Sequence, residues 1–349
     1  MRILALQLKR IGDLILTTPA LSLLRAAHPD VQITLAVQAN TSTLLSAIPG
    51  VAAGFVFGSG RGWTPWQQTL TGPWDAVLDF TGTDRSALAA ALSRSRRRIA
   101  FEWVRKRKLR ALAYTEFVDS PVRDFHTVDH YADLLRPLGI EAKAPLEPRL
   151  TVPEKVKTQT ASLLVEAGLD RPFAIVHPGA ARTEKLWDPT RWAKVVHHLR
   201  SAAGLDCLLT GSAEAREAAY VEEVRATAER ESASTESTGR LVNFAGKLDL
   251  VALCALVEKA RLISSGDTAI VHVAAAFQRP QVALFGPTNP FHWRPRHANA
   301  VVLSAAQPET PLTEYDPRMK GAPMDRLSTE VVIRATDSLL QRSYPPTNP

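Results

Sequence analysis

The feature that most constrains this chain is a regular alternation of short apolar runs with amphipathic segments. The apolar runs of its first half are residues 2–8, 31–38, 54–57 and 75–80. Segments with helical periodicity lie between and after them, at residues 14–27, 86–95 and 126–140. This is the βαβα order of a parallel sheet with helices on both faces, so we predict an α/β fold. Pro19 lies inside the first helical segment, which is therefore either one kinked helix or two.

A proline-rich stretch, residues 144–153, interrupts this alternation. The alternation then starts again, with apolar runs at residues 173–180, 205–211, 261–267 and 281–286. A chain of 349 residues is long enough for two domains of roughly 150 residues each. We predict two Rossmann-like, doubly wound domains at 1–150 and 151–327, followed by a C-terminal helix and tail at 328–349.

Open parallel sheets bind ligands at the carboxyl ends of their strands. Two such sheets facing each other would form a cleft, and the polar motifs of this chain do follow predicted strands. The first is Gly12-Asp13, after the first strand. The glycine allows a tight turn, and the acid lies at a helix start. Asp13 is therefore either a helix cap, which contributes about 1 kcal/mol, or a general base; the residues alone favour the cap.

Two further motifs lie in the second half. In HPGAARTEKLW (residues 177–187), Gly179 belongs to a turn, and Arg182 and Lys185 place two positive charges three residues apart. In SSGDTAIVHVAAA (residues 264–276), Asp267 and Thr268 precede a helix of small residues, and His272 lies one turn further on. Backbone amides at such helix starts suit a phosphate. Surface cations and a structural histidine are the simpler alternatives.

The positive charge of the chain is confined to one segment. The net charge is +7, and residues 94–110 contain nine basic residues and one acid, which leaves 33 basic and 34 acidic residues elsewhere. The run is either a solvated face or a docking site for an anionic partner such as nucleic acid, phospholipid or a phosphorylated glycolipid. The candidate contact residues are Arg96, Arg97, Arg98, Arg105, Lys106, Arg107 and Lys108.

Several classes of protein are excluded by missing motifs. No strand is followed by GxGxxG, no GxxxxGK[ST] occurs, and neither GxSxG nor HExxH is present, which argues against NAD enzymes and P-loop NTPases. The two cysteines show no metal-ligand spacing. No apolar run is long enough for a membrane span or a signal peptide. We therefore expect a cytoplasmic protein.

The sequences and the order of these motifs resemble those of glycosyltransferase family 9, the ADP-heptose:lipopolysaccharide heptosyltransferases. The matching segments are KRIGDLILTTPALSLLRAAHP, HPGAARTEKLWDPTRWAKVV and SGDTAIVHVAAAFQRPQVALFGPTNP. The resemblance implies a GT-B fold, in which two Rossmann-like domains face each other across the active site. It also implies that the terminal helix packs back on the N-terminal, acceptor-binding domain, and that the other domain binds the nucleotide sugar.

The resemblance assigns roles to the residues already singled out. Asp13 would deprotonate the acceptor hydroxyl, and Lys185 would bind the donor phosphates. Asp267, Thr268 and the amide of Ala269 would hold the pyrophosphate and the sugar, with His272 nearby. No metal or other cofactor would be needed. Where the family usually has Asp-Thr-Gly, this chain has Ala269, which adds a methyl group where backbone approaches phosphate.

The implied acceptor is the inner core of lipopolysaccharide, at the inner face of the cytoplasmic membrane. The basic run would then draw a peripheral enzyme to anionic lipid, and no nucleic acid is expected. Three alternatives remain: a GT-B transferase or an epimerase that uses a UDP- or GDP-sugar, a non-catalytic glycolipid-binding protein, and a nucleic-acid-binding protein. The last would need stacking aromatics on a sheet or a recognition helix, and the sequence indicates neither.

Overall fold

The computed structural model describes residues 1–58, 60, 62–232 and 239–344. The chain divides into two compact units, Met1–Thr151 and Val152–Pro349. Each unit contains one six-stranded parallel sheet with helices, which confirms the predicted α/β class. Residues 345–349 of the predicted C-terminal tail lie outside the described residues.

The first unit alternates strands with helices. The strands are β1 (Arg2–Gln7), β2 (Gln32–Gln38), β3 (Ala53–Phe57), β4 (Ala76–Asp79), β5 (Arg97–Phe101) and β6 (Glu116–Val118). The α-helices are α1 (Ile11–Ala27), α2 (Thr64–Thr71), α3 (Asp84–Leu92), α4 (Glu102–Arg105), α5 (Lys108–Ala111) and α6 (Thr127–Asp133). Short 3-10 helices cover Ala39–Ala47, Val122–Asp124 and Arg136–Leu138.

The second unit repeats the pattern. Its strands are β7 (Phe173–His177), β8 (Asp206–Leu209), β9 (Leu241–Asn243), β10 (Leu262–Gly266), β11 (Gln281–Phe285) and β12 (Ala300–Ser304). Its α-helices are α7 (Glu154–Glu166), α8 (Pro189–Ser201), α9 (Ala215–Ser232), α10 (Leu250–Lys259), α11 (Ala269–Ala276) and α12 (Thr329–Ser343). Short 3-10 helices cover Thr183–Lys185, Pro290–His292 and Met324–Arg326.

The two sheets have the same topology. The first has the order β3-β2-β1-β4-β5-β6, and the second has the order β12-β11-β10-β7-β8-β9. Counted from the first strand of each unit, both orders are 3-2-1-4-5-6, the order of the Rossmann fold, and every strand pair is parallel. The prediction of two Rossmann-like sheets is confirmed.

Helix α1 is one helix despite its internal proline. Pro19 has no N–H, so it leaves the Ile15 carbonyl without the usual hydrogen bond four residues on. The Thr18 hydroxyl donates to this carbonyl at 2.7 Å and in turn accepts the Arg149 N–H at 3.0 Å. The local hydroxyl thus replaces the missing donor, and the helix continues to Ala27.

The terminal helix α12 belongs to the second unit. Ser328 caps this helix, and the apolar face of the helix, which includes Val332 and Leu339, lies in the core of that unit. The buried Trp187 indole donates to the Leu327 carbonyl at 3.0 Å and fixes the start of the helix. This finding corrects the division expected from the sequence, which set residues 328–349 apart from the second domain.

Candidate functional site

The polar motifs lie where the strand order of each sheet reverses. This point falls between β1 and β4 in the first unit and between β7 and β10 in the second. Connections leave these neighbouring strands in opposite directions, which opens a crevice at their carboxyl ends. Asp13 follows β1, Lys185 follows β7 and Asp267 follows β10. Within its own unit, each residue therefore lies at the edge where a ligand is expected.

Asp13 lies in the first turn of α1 and is half-buried. The cap position belongs to Arg10, and no side chain makes a capping hydrogen bond there, so Asp13 is not the helix cap that its local sequence favoured. Its Oδ1 atom accepts a hydrogen bond of 2.6 Å from the Tyr131 hydroxyl. In the described part of the chain, no other side chain or amide donates to this carboxylate. A second acceptor oxygen is therefore available to a substrate hydroxyl.

The role predicted for Gly12 is corrected by the structure. Gly12 is the second residue of α1 and has helical backbone, while the bend between strand and helix falls at Lys9. The glycine therefore does not make the turn. The helix starts earlier than its apolar periodicity indicated because Ile11 and Gly12 already belong to its first turn.

Tyr131, on α6, is a residue that the sequence did not single out. Its side chain is 2 % exposed, and its ring packs edge-on against Phe80 at 5.8 Å between centroids. Burial raises the pKa of Tyr131 well above its usual value, and the neighbouring charge of Asp13 raises it further. The hydroxyl stays protonated and donates. Because 118 positions separate the two residues, no local pattern predicts their contact.

In the second unit, Lys185 and Asp267 form an ion pair. The ammonium contacts the Asp267 carboxylate and donates to the carbonyl oxygen of the same residue at 3.2 Å. The two side chains are only 18 % and 10 % exposed. Sequence analysis predicted both as donor-binding residues, and the structure brings them together, although they are 82 positions apart.

The start of α11 offers further polar groups beside Asp267. Thr268 occupies the cap position but makes no capping hydrogen bond, and its buried hydroxyl oxygen has no partner in the described residues. The buried hydroxyl of Ser265, at the end of β10, also has no hydrogen-bond partner in the described residues. Ala269 opens the helix, so its N–H is among the amides that have no partner within the helix. Unpartnered buried polar atoms are rare, and an anionic or sugar ligand would satisfy them.

The remaining predicted donor residues differ in their positions. A Cβ on Gly179 would overlap the buried Glu217 side chain, so this glycine gives Glu217 room to accept the Ser212 N–H at 3.0 Å. Arg182 is exposed and pairs with Glu184 at 3.3 Å. His272 is 5 % exposed and lies on α11, one turn after Thr268. Arg182 is therefore a surface cation, whereas His272 lies inside the unit.

The basic run does not form one charged surface. Its centre is the buried strand β5, which the sequence did not predict. Arg97 pairs with Glu116 at 2.7 Å and donates to the Pro137 carbonyl at 2.7 Å, and Arg98 donates to the Ala113 carbonyl at 2.6 Å. These two guanidinium groups hold neighbouring segments together. Both groups are therefore engaged within the first unit, and their predicted contact with an anionic partner stays a prediction.

The other predicted cations are exposed, and large apolar side chains lie among them. The exposed cations are Arg96, Arg105, Lys106, Arg107 and Lys108. Leu109 and Leu112, three residues apart at α5, are 87 % and 80 % exposed, and Trp103 is 36 % exposed. Two leucines in water beside a row of cations form an amphipathic surface, which we call the α5 surface and define as residues 105–112.

In residues 1–58, 60, 62–232 and 239–344, no group of three or more His, Cys, Asp or Glu side chains is arranged to hold a metal ion. Across the same ranges, none of the helices combines the length and apolarity that crossing a membrane requires.

Comparisons with known proteins show the family of this chain. The model of glycosyltransferase family 9 (heptosyltransferase) matches residues 63–322. Lipopolysaccharide heptosyltransferase 3 of Escherichia coli strain K12 is 26% identical over 344 residues, which cover 96% of each chain.

Solved structures share the fold. The structure of E. coli ADP-heptose lps heptosyltransferase II has a TM-score of 0.80 and 22% identity, covering 98% of this chain and 99% of that one. E. coli heptosyltransferase WaaC with ADP-2-deoxy-2-fluoro heptose has a TM-score of 0.71 and 19% identity, covering 97% and 99%. The fold is thus that of the GT-B heptosyltransferases. The family match spans well over half of the sequence, and the chain belongs to glycosyltransferase family 9, the heptosyltransferases.

Proposed function

We propose that this protein transfers a heptose from an ADP-linked donor to the inner core of lipopolysaccharide, with inversion at the anomeric carbon. Family membership and the named activities of the relatives support this reaction. The observation that carries it is the Lys185–Asp267 pair at the start of α11, beside unpartnered buried hydroxyls. Such a site suits a sugar linked to a diphosphate.

Asp13 acts as the general base in this mechanism. Its available carboxylate oxygen takes the proton of the acceptor hydroxyl while the hydroxyl oxygen attacks the anomeric carbon. The bond from the anomeric carbon to the phosphate oxygen breaks, and its electron pair leaves with ADP. Attack opposite the leaving group inverts the configuration, and the proton remains on Asp13 until solvent removes it.

Lys185 and the amides at the start of α11 stabilise the negative charge that grows on the departing diphosphate. In the structure, the Lys185 ammonium already donates a hydrogen bond to the Asp267 carboxylate, so the donor phosphates must share Lys185 with this carboxylate. We propose that Asp267 holds Lys185 in place and accepts hydroxyl groups of the sugar, since a carboxylate would repel a phosphate. Because lysine and helix amides supply the positive charge, we propose that transfer needs no metal. Activity unchanged by EDTA would support this, and activity restored only by added metal would refute it.

The identity of the donor is tested by thermal unfolding with ADP, UDP, GDP, CDP and NAD. A ligand at a hundred times its dissociation constant adds roughly 2.7 kcal/mol to the free energy of unfolding. We expect ADP alone to stabilise the protein, and we expect this stabilisation to be lost in Lys185→Ala. Turnover of ADP-heptose with a lipopolysaccharide acceptor then tests the reaction itself. Stabilisation by UDP or GDP would mean that the donor is a UDP- or GDP-sugar. No response to any nucleotide would refute the proposed site.

We also propose that the α5 surface binds the inner face of the cytoplasmic membrane, where the acceptor is anchored. Cations near an anionic lipid surface contribute about 1 kcal/mol each. Leu109 and Leu112 would enter the interface between headgroups and acyl chains, which explains why a folded chain leaves both in water. Nucleic acid would use the cations but not the leucines.

Vesicle binding tests this proposal. Replacing Lys106, Arg107 and Lys108 with glutamine should weaken binding to vesicles with anionic lipid and reduce its dependence on salt. Leu109→Ser with Leu112→Ser should weaken binding while leaving the dependence on salt unchanged. The matched control replaces three exposed lysines elsewhere, Lys143, Lys155 and Lys259. If the control weakened binding equally, only net charge would matter and the proposed surface would be wrong.

A further inference from the structure

We propose that Tyr131 is a positioning residue for the general base, and that its hydroxyl directs one oxygen of Asp13 toward the acceptor by binding the other. This inference rests on the proposed function, because it assumes that Asp13 accepts the proton. The direct observation is the 2.6 Å hydrogen bond from the Tyr131 hydroxyl to Oδ1 of Asp13.

The position of the Tyr131 hydroxyl is fixed from several sides. The ring is enclosed by Phe80 and Phe101, at 5.8 Å and 6.5 Å between centroids. The Lys9 ammonium lies 5.9 Å from the ring centroid. A side chain that is 2 % exposed in such an enclosure has few alternative rotamers. The hydroxyl is therefore a fixed donor for a carboxylate that is itself only half-buried.

The backbone of Asp13 is held as well. The Gln7 side-chain amide donates to the Thr17 hydroxyl at 2.7 Å, and that hydroxyl donates to the Asp13 carbonyl at 2.8 Å. The end of β1, the first turns of α1 and helix α6 thus meet at the base. Positional control of this kind matters because a displacement of about 1 Å in a catalytic group costs roughly 10²-fold in rate.

The choice of a phenol as the partner has a chemical consequence. Because the pKa of Tyr131 is raised far above neutrality by burial and by the charge of Asp13, the phenol keeps its proton throughout the reaction. It donates to the carboxylate without carrying a positive charge. A lysine in the same place would form an ion pair, as Lys185 does with Asp267, and would oppose proton uptake by the base. A neutral donor orients the carboxylate without placing a positive charge beside it.

Tyr131→Phe tests the inference because it removes the hydroxyl and keeps the ring. We expect kcat to fall about tenfold to a hundredfold, with KM for the donor and the dissociation constant of ADP changed less than twofold. The matched control is Tyr114→Phe. Tyr114 is another buried tyrosine of the first unit that donates to a carboxylate, that of Asp79. We expect the control to retain kcat within about threefold.

Three outcomes would overturn the inference: an unchanged kcat in Tyr131→Phe, an equal loss in Tyr114→Phe, or a loss that appears in KM alone. If Tyr131→Phe does not fold, site-specific 3-fluorotyrosine at position 131 gives a second test. It keeps the hydroxyl and should shift the pH profile of kcat, whereas an unshifted profile counts against the inference.

Asp13→Asn separates this inference from the proposed function. If Asp13→Asn is fully active, the proposed base is wrong whatever Tyr131 does. If Asp13→Asn is inactive and Tyr131→Phe is fully active, only the positioning role fails. Combining the two substitutions should cost no more than Asp13→Asn alone, because an orienting group has no effect once the base is absent.

Discussion

Two acids of this protein follow a glycine at the switch point of a Rossmann-like sheet, and their partners differ. Asp13, in the sequence IGD, accepts a hydrogen bond from the neutral Tyr131 hydroxyl. Asp267, in the sequence SGD, pairs with the Lys185 ammonium. The first keeps an oxygen available, while the charge of the second is compensated. Local sequence places both carboxylates, but the partner decides which one is suited to take up a proton.

The largest expected effect comes from Asp13→Asn, which tests the first half of this comparison. An amide cannot accept the proton of the acceptor hydroxyl, and general base catalysis contributes roughly 10²- to 10⁴-fold. We expect kcat to fall by about that factor while the dissociation constant of ADP stays the same. Steady-state kinetics and calorimetric titration with ADP measure the two quantities. Weaker ADP binding in this variant would show that Asp13 belongs to the donor site.

Lys185→Ala tests the second half. Removing one donor to a developing negative charge typically costs 10²- to 10³-fold in kcat. Unlike Asp13→Asn, this variant should also lose affinity for ADP, because in the proposed site the ammonium would contact the donor before and during the reaction. Arg182→Ala provides the control, since Arg182 is exposed and paired with Glu184. Equal losses in the two variants would mean that general positive charge binds the donor.

Asp267→Asn should separate binding from turnover. The substitution removes a negative charge near the phosphates, so ADP should bind more tightly by about 1 kcal/mol, or about fivefold. Turnover should fall, because Lys185 loses the carboxylate that holds it. Asp337→Asn is the matched control, as Asp337 pairs with His198 at 2.7 Å elsewhere in the second unit. Weaker ADP binding in Asp267→Asn would show that this carboxylate helps to hold the nucleotide.

The last prediction concerns stability rather than turnover, and it involves His130, which precedes Tyr131 on α6. Burial, together with the positive charge of Lys9, lowers the pKa of His130 to about 4. The unfolded chain, in which the pKa is about 6.5, therefore binds the proton more readily between pH 6.5 and 4. By this linkage, the contribution of His130 to the free energy of unfolding is fully present above pH 6.5. It is lost as the pH decreases, and the loss reaches about 2.5 kcal/mol at pH 4.5.

Urea unfolding of the wild type and of His130→Gln at pH 7 and pH 4.5 measures this contribution. The wild type should lose about 2.5 kcal/mol more than the variant on acidification. Equal losses in both proteins would mean that His130 is already accessible to protons in the folded state.

Much of this architecture was predictable, because alternating apolar runs report burial directly. Strands such as β1 and β7 are buried on both faces and read as continuous apolar segments. Strand β5 was missed because it begins with Arg97 and Arg98 inside a basic run. Arg97 pairs with Glu116 and Arg98 donates to the Ala113 carbonyl, and these two partners lie 19 and 15 positions away. The number of charged residues alone therefore predicted an exposed surface where strand β5 lies.

By itself, the sequence determined the α/β class, the two repeats and the acids and lysine that follow strands, because these depend on hydrophobic periodicity and on position relative to a strand end. Only the tertiary structure decided the partners of those residues. It paired Asp13 with Tyr131 and Asp267 with Lys185, and it assigned α12 to the second unit. It also showed which cations of the basic run hydrogen-bond within the first unit and which are exposed. Contacts between distant positions depend on how the whole sheet and its helices pack, and no local pattern encodes them.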